Sequence, residues 1–115
     1  MSKRELRLFL HDMLEAIHKI ERYTAGRAAE AFAADDMVVD AVVRTLEVVG
    51  EAARHVPAEV RARYQAVDWA RVVGFRNIVI HAYFDVDVDI VWTIATQQLA
   101  ELRLVVEQML RDQER

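Results

Sequence analysis

Apolar side chains recur along this chain at three- and four-residue steps, the spacing that lines one face of an α-helix. Leu6, Phe9, Leu10, Met13, Ile17 and Ile20 form the first such stripe. Ser2 and Glu5 precede it at capping-box spacing, in which a hydroxyl and a carboxylate each satisfy an exposed backbone N–H, and Thr24-Ala25-Gly26 ends it. The alanine-rich piece from Arg27 to Ala34 has room for one short helix. Asp35 or Asp36 then caps a second long stripe of Val39, Val42, Val43, Leu46, Val49, Ala53 and Val56. Pro57 cannot continue that helix but suits the first turn of another, so Ala58 to Tyr64 is expected as a single short helix. Near the C-terminus Val91, Ala95, Leu102, Val105 and Met109 outline a long helix. Asp87 is its expected cap, Asp89 sits in the first turn, and Arg111 lies at the end where the helix dipole favours a cation.

Val72 to Trp92 is the ambiguous stretch. Val, Ile, Tyr and Phe crowd Asn77 to Phe84, and Asp85-Val86-Asp87-Val88-Asp89 alternates with period two, so propensity alone permits a two-stranded hairpin. No Asn-Gly or glycine-rich turn joins the two halves, and the rest of the chain offers no sheet to complete. Helix, turn, helix is the reading favoured here, which makes the chain all-α with four or five helices.

Composition narrows the class without naming a function. The 115 residues make one domain's worth of chain, 54% hydrophobic and 30% charged, enough for one core. Three glycines and one proline leave little material for the turns of a many-stranded barrel. With no cysteine there is no disulfide, thiolate metal site or cysteine nucleophile, as suits a reducing cytoplasm, the expected location. No run approaches the roughly 20 apolar residues of a membrane span, and the charged start from Met1 to Arg7 shows no signal peptide. A net charge of −4 argues against broad, sequence-independent duplex binding while leaving room for a local anion site.

Such a site is suggested between Arg54 and Phe84, where five arginines (54, 61, 63, 71 and 76) face two acids, Glu59 and Asp68. Within that segment Arg76-Asn77-Ile78-Val79-Ile80-His81-Ala82-Tyr83 packs a permanent cation, an imidazole and a phenol into eight residues. On a helix Asn77 and His81 share a face and Arg76 and Tyr83 fall on one stripe. Arg76 and His81 would stand about 140° apart, meeting only if the helix loosens or a second copy of the motif faces the first. The plainer reading pairs Arg76 with a carboxylate and places His81 and Tyr83 in the core. A second polar stripe, Arg44, Glu47, Glu51 and His55, reads as ion-paired structural groups; Glu51 and His55 have ligand spacing, but two ligands do not make a metal site. His11 and His18 have no convergent partners and are assigned to the surface.

The run Gly74 to Tyr83, followed by Asp87 and Val91-Trp92, resembles the HepT-like branch of the HEPN superfamily. Arg44 to Ala52, with its Gly50-Glu51-Ala52 box, adds to the likeness, as do Asp12 and Tyr23-Thr24-Ala25-Gly26 more weakly. The resemblance implies an up-and-down four-helix bundle with an additional short helix, spanning residues 1–115 and pairing into a homodimer. It implies the toxin of a type VII-like toxin–antitoxin pair: a metal-independent endoribonuclease acting on single-stranded RNA, with no cofactor. Arg76 and His81 would be catalytic, and Asn77 and Tyr83 would support RNA or phosphate contact. The partner would be a minimal nucleotidyltransferase antitoxin that transfers AMP to Tyr83. Two other readings stay open: a non-catalytic helical subunit that docks such a nucleotidyltransferase, and a plain structural bundle.

Overall fold

A computed structural model describes residues 1–77 and 87–114. Helix α1 spans Lys3–Thr24, and its capping box forms as expected: the Ser2 Oγ accepts from the Glu5 N–H at 3.1 Å, and a Glu5 carboxylate oxygen accepts from the Ser2 N–H at 2.9 Å. Gly26 leaves the helix at φ +71°, a left-handed conformation that costs a side chain about 1 kcal/mol or more. Helix α2 (Ala29–Ala33) follows, then α3 (Asp36–Arg54), whose Asp35 cap accepts from the Val38 N–H at 3.2 Å. All seven apolar positions of the second stripe are buried, as a 3.6-residue period requires.

The region after Pro57 is more broken than its sequence implies. Helix α4 covers only Ala58–Arg61, and turns lead on to α5 (Trp69–Val73) and a 3₁₀ turn, Gly74–Asn77. Arg61, the last residue of α4, turns back on α3. Its Nε donates to the Val56 carbonyl at 2.9 Å and Nη2 to those of Ala53 and Arg54 at 2.8 and 3.2 Å, while the guanidinium sits 6.0 Å from the Trp69 ring centroid. Three carbonyls at and just past the end of α3 thereby accept from one cation. Arg61→Lys keeps the charge but not the fork. It is expected to lower the free energy of unfolding by about 2 kcal/mol, read from the urea midpoint at unchanged m-value.

Helix α6 (Val88–Thr93) runs through a π turn, Ile94–Gln98, into α7 (Leu99–Gln113). Asp87 caps it as expected, accepting from the N–H groups of Asp89 and Ile90. The Leu99 N–H reaches back five residues to the Ile94 carbonyl. The expected stripe positions Val91, Ala95, Leu102 and Met109 are buried, and the wide turn alters the aim of the residues beside them. Leu99 and Val106 are also fully buried, whereas Val105, expected on the core stripe, is only partly so.

Phe9 at the start of α1 meets His55 just past α3, and Met1, Ser2 and Leu6 share a surface recess with Asp112 and Gln113. Helix α1 therefore runs antiparallel to both α3 and α7, with one continuous apolar core between them. The all-α expectation holds, and no strand occurs among the described residues. None of their helices is long and apolar enough to cross a membrane.

Candidate functional site

Arg76 is brought to the surface of α3 by the 3₁₀ turn, and two features hold that turn in place. Phe75, within the turn and next to Arg76, is buried in the core. On the α3 side lies Gly50, where a methyl group would stand 2.9 Å from the Arg76 backbone nitrogen, 3.0 Å from its Cγ and 3.0 Å from the Val72 carbonyl oxygen. Only a residue without a Cβ permits that approach.

One residue further along α3, Glu51 meets the arginine side chain. Its Oε2 lies 3.0 Å from Arg76 Nε. Its Oε1 accepts from Arg54 Nη2 at 2.7 Å and stands 3.5 Å from His55 Nε2. The Arg54 hydrogen bond, joined by the charges of Arg54 and Arg76 and by contact with His55, holds the Glu51 carboxyl below its ordinary value of 4.5, so it is ionised at neutral pH. The His55 ring in turn stacks on Phe9 of α1, centroids 4.5 Å apart and planes within 6°. A cavity of about 290 Å³ opens beside this cluster, lined among others by Phe9, Asp12, Glu47, Val48, Glu51 and His55. Arg76 is 41% exposed, which leaves its guanidinium accessible to a ligand.

The local excess of arginine is thus partly internal. Arg54 and Arg76 share one carboxylate and Arg61 serves backbone carbonyls, while Arg63 and Arg71 remain exposed. The second polar stripe is ion-paired as expected, with Arg44 4.0 Å from Glu47, and His11 and His18 are on the surface. What the stripe did not reveal is that Glu51 pairs with the motif arginine itself. The only sequence signal was its place beside Gly50, because the partner lies 25 positions away and helical periodicity sees no further than a few turns. Asn77, exposed, follows Arg76 in the same 3₁₀ turn, where successive side chains are about 120° apart rather than 100°. His81 and Tyr83 lie outside the described residues. Among those that are described, no three His, Asp or Glu side chains converge as metal ligands.

Comparison with known proteins bears on the same residues. Residues 13–109 match the family described as ribonuclease HepT-like. The chain is 36% identical over 107 residues to a Methanocaldococcus jannaschii protein named as a candidate RNase, covering 93% of this chain and 98% of that one. A second protein of that organism, similarly named, is 33% identical over 114 residues, 99% of this chain and 98% of its own. A Thermococcus cleftensis protein named a probable ribonuclease HepT is 34% identical over 101 residues, 88% and 92% of the two chains. No solved structure matches the chain.

Proposed function

This chain belongs to the ribonuclease HepT-like family of the HEPN superfamily, and on that premise we propose that it is a metal-independent endoribonuclease, the toxin of a toxin–antitoxin pair. The observation that carries the reading is the placement of Arg76: a half-exposed side chain, held against α3 by its backbone at Gly50 and paired with Glu51, which itself lines an open cavity.

Cleaving RNA without a metal requires a base to take the proton of a 2′-hydroxyl as its oxygen attacks the neighbouring phosphorus. It also requires a cation over the phosphorane-like transition state and an acid for the leaving 5′-oxygen. An imidazole titrating near neutral pH suits the proton transfers, worth typically 10²–10⁴-fold, and His81 is the residue assigned to them. The planar donors of Arg76 suit the charge that develops on the phosphate oxygens. Asn77 donates to the same phosphate or orients His81, and Tyr83 stacks on an unpaired base. Single-stranded RNA is the substrate class, because its 2′-hydroxyls and base faces are open. In a homodimer two such motifs would line one groove, each arginine within reach of a histidine.

Silencing by a minimal nucleotidyltransferase fits the same residues. The Tyr83 phenol oxygen would attack the α-phosphorus of ATP, releasing pyrophosphate and leaving a bulky anion where RNA must lie. Intact mass of the protein co-expressed with that partner checks this, with added AMP mapping to Tyr83 as the expected result.

The central test compares wild type, Arg76→Ala and His81→Ala on a single-stranded RNA in the presence of a chelator. His81→Ala is expected to lose about 10²–10⁴-fold and Arg76→Ala about 10²–10³-fold in kcat. Equal cleavage by all three would sink the assignment. If pure, AMP-free wild type cleaves nothing but still binds the nucleotidyltransferase, the chain is a docking subunit instead.

A further inference from the structure

We propose that Glu51 is a positioning residue for Arg76, holding the guanidinium in the orientation that the transition state requires and doing so at the expense of ground-state RNA affinity. The inference rests on the catalytic reading of Arg76 given above. An arginine has four freely rotating side-chain torsions, and an unanchored one at the surface samples many orientations. Here that freedom is narrowed at both ends. Gly50 lets the Arg76 backbone press against α3, and one helical position later Glu51 takes the side chain at Nε, 3.0 Å from its own Oε2. A guanidinium gripped at Nε still has its terminal NH₂ groups to offer a phosphate.

The carboxylate is itself braced, which separates this arrangement from a chance surface pair. Arg54 holds Oε1 from the same helix at 2.7 Å, and His55 approaches that oxygen at 3.5 Å with its ring flat against Phe9 of α1. The end of α3 and the 3₁₀ turn therefore converge on one side chain, with α1 backing His55. Asp12 and Glu47 border the adjoining cavity, so the neighbourhood is acidic apart from the cations that Glu51 gathers and Arg44.

This arrangement makes an unusual prediction. Removing a carboxylate from an RNA-binding surface ordinarily strengthens binding and leaves chemistry alone or improved, because repulsion of phosphate falls. If Glu51 acts as a positioner, Glu51→Gln binds RNA as tightly or more tightly yet cleaves more slowly. The expected loss in kcat is about 10–100-fold, with KM unchanged or lowered, since misplacement by an ångström is worth that much.

The experiment is a cycle on the full chain with a labelled single-stranded RNA oligonucleotide: wild type, Glu51→Gln, Arg76→Ala and the double variant, each with kcat, KM and melting temperature. In the Arg76→Ala background, Glu51→Gln is expected to cost no further activity, because its effect passes through the missing guanidinium. An equal loss in both backgrounds overturns the proposal, as does wild-type kcat in Glu51→Gln while Arg76→Ala is slow. Wild-type activity in Arg76→Ala would instead overturn the catalytic reading of Arg76. Should Glu51→Gln fail to fold, Glu51→Asp replaces it. That variant keeps the charge but is one methylene short of the contact, so the same split between kcat and KM is expected at smaller amplitude, and an unchanged kcat counts against the proposal.

Discussion

Gly50→Ala is expected to destabilise the protein and slow RNA cleavage together, although the substitution sits in the interior of a helix. By propensity alone, alanine in place of a helical glycine is worth about 1 kcal/mol of added stability. At this position the new methyl would lie 2.9 Å from the Arg76 nitrogen and 3.0 Å from the Val72 carbonyl oxygen. Both are backbone atoms that cannot swing aside as a flexible side chain can. The 3₁₀ turn must move off α3, and overpacking of this kind typically costs about 1–3 kcal/mol. Because the displaced residue is Arg76, the expected loss in kcat is about 10²-fold. Gly74→Ala is the control: a Cβ there meets nothing within 4 Å and the backbone is right-handed at φ −62°. It should leave the melting temperature unchanged or slightly higher. Thermal unfolding of the two variants side by side decides the matter. A stabilised, fully active Gly50→Ala would mean that the close approach relaxes at no cost.

Phe32→Ala is expected to have the largest effect on stability alone, about 3–5 kcal/mol, against a total of roughly 5–15 kcal/mol for a domain of ordinary stability. Phe32 is fully buried although its helix has only five residues, Ala29–Ala33, too few to stand alone. Its ring packs on Trp92 with centroids 5.0 Å apart and planes tilted by 41°. That contact fastens α2 to α6, while α2 also lies against α3. Truncation leaves a hole between three elements and removes the main anchor of α2. Urea unfolding should show the midpoint falling sharply, and Phe32→Leu should recover more than half of the loss. A change below about 1 kcal/mol would mean that α2 adds little to the core.

The two expectations differ in how far the sequence foretold them. Phe32 lies in an alanine-rich stretch with no apolar stripe, so nothing local announces that it is buried; its partner Trp92 lies 60 positions away. Gly50 and Glu51 belong to a recognisable box, yet their link to Arg76 is equally non-local. Within the last helical stretch, the period put Val91, Ala95, Leu102, Val105 and Met109 on the core face; all but Val105 are buried there, and Leu99 and Val106, beyond the π turn at Ile94–Gln98, join them. Thr93 and Thr96 there donate their hydroxyl protons to the carbonyls of Asp89 and Trp92. Such bonds disturb the regular ladder without breaking the hydrophobic pattern.

What the sequence determined by itself was whatever depends on neighbours within a turn or two: the Ser2, Asp35 and Asp87 caps, the stripes of α1 and α3, the all-α class and the position of the motif residues along the chain. Those follow from hydrogen bonds and burial that repeat every few residues, and they are legible because the cause and the effect are close together. Tertiary structure alone decided which carboxylate grips Arg76, how near its backbone comes to α3, and that Arg61 closes the end of that helix. Each of these joins parts of the chain whose separation no periodicity encodes, and each is settled by the packing of the helices against one another.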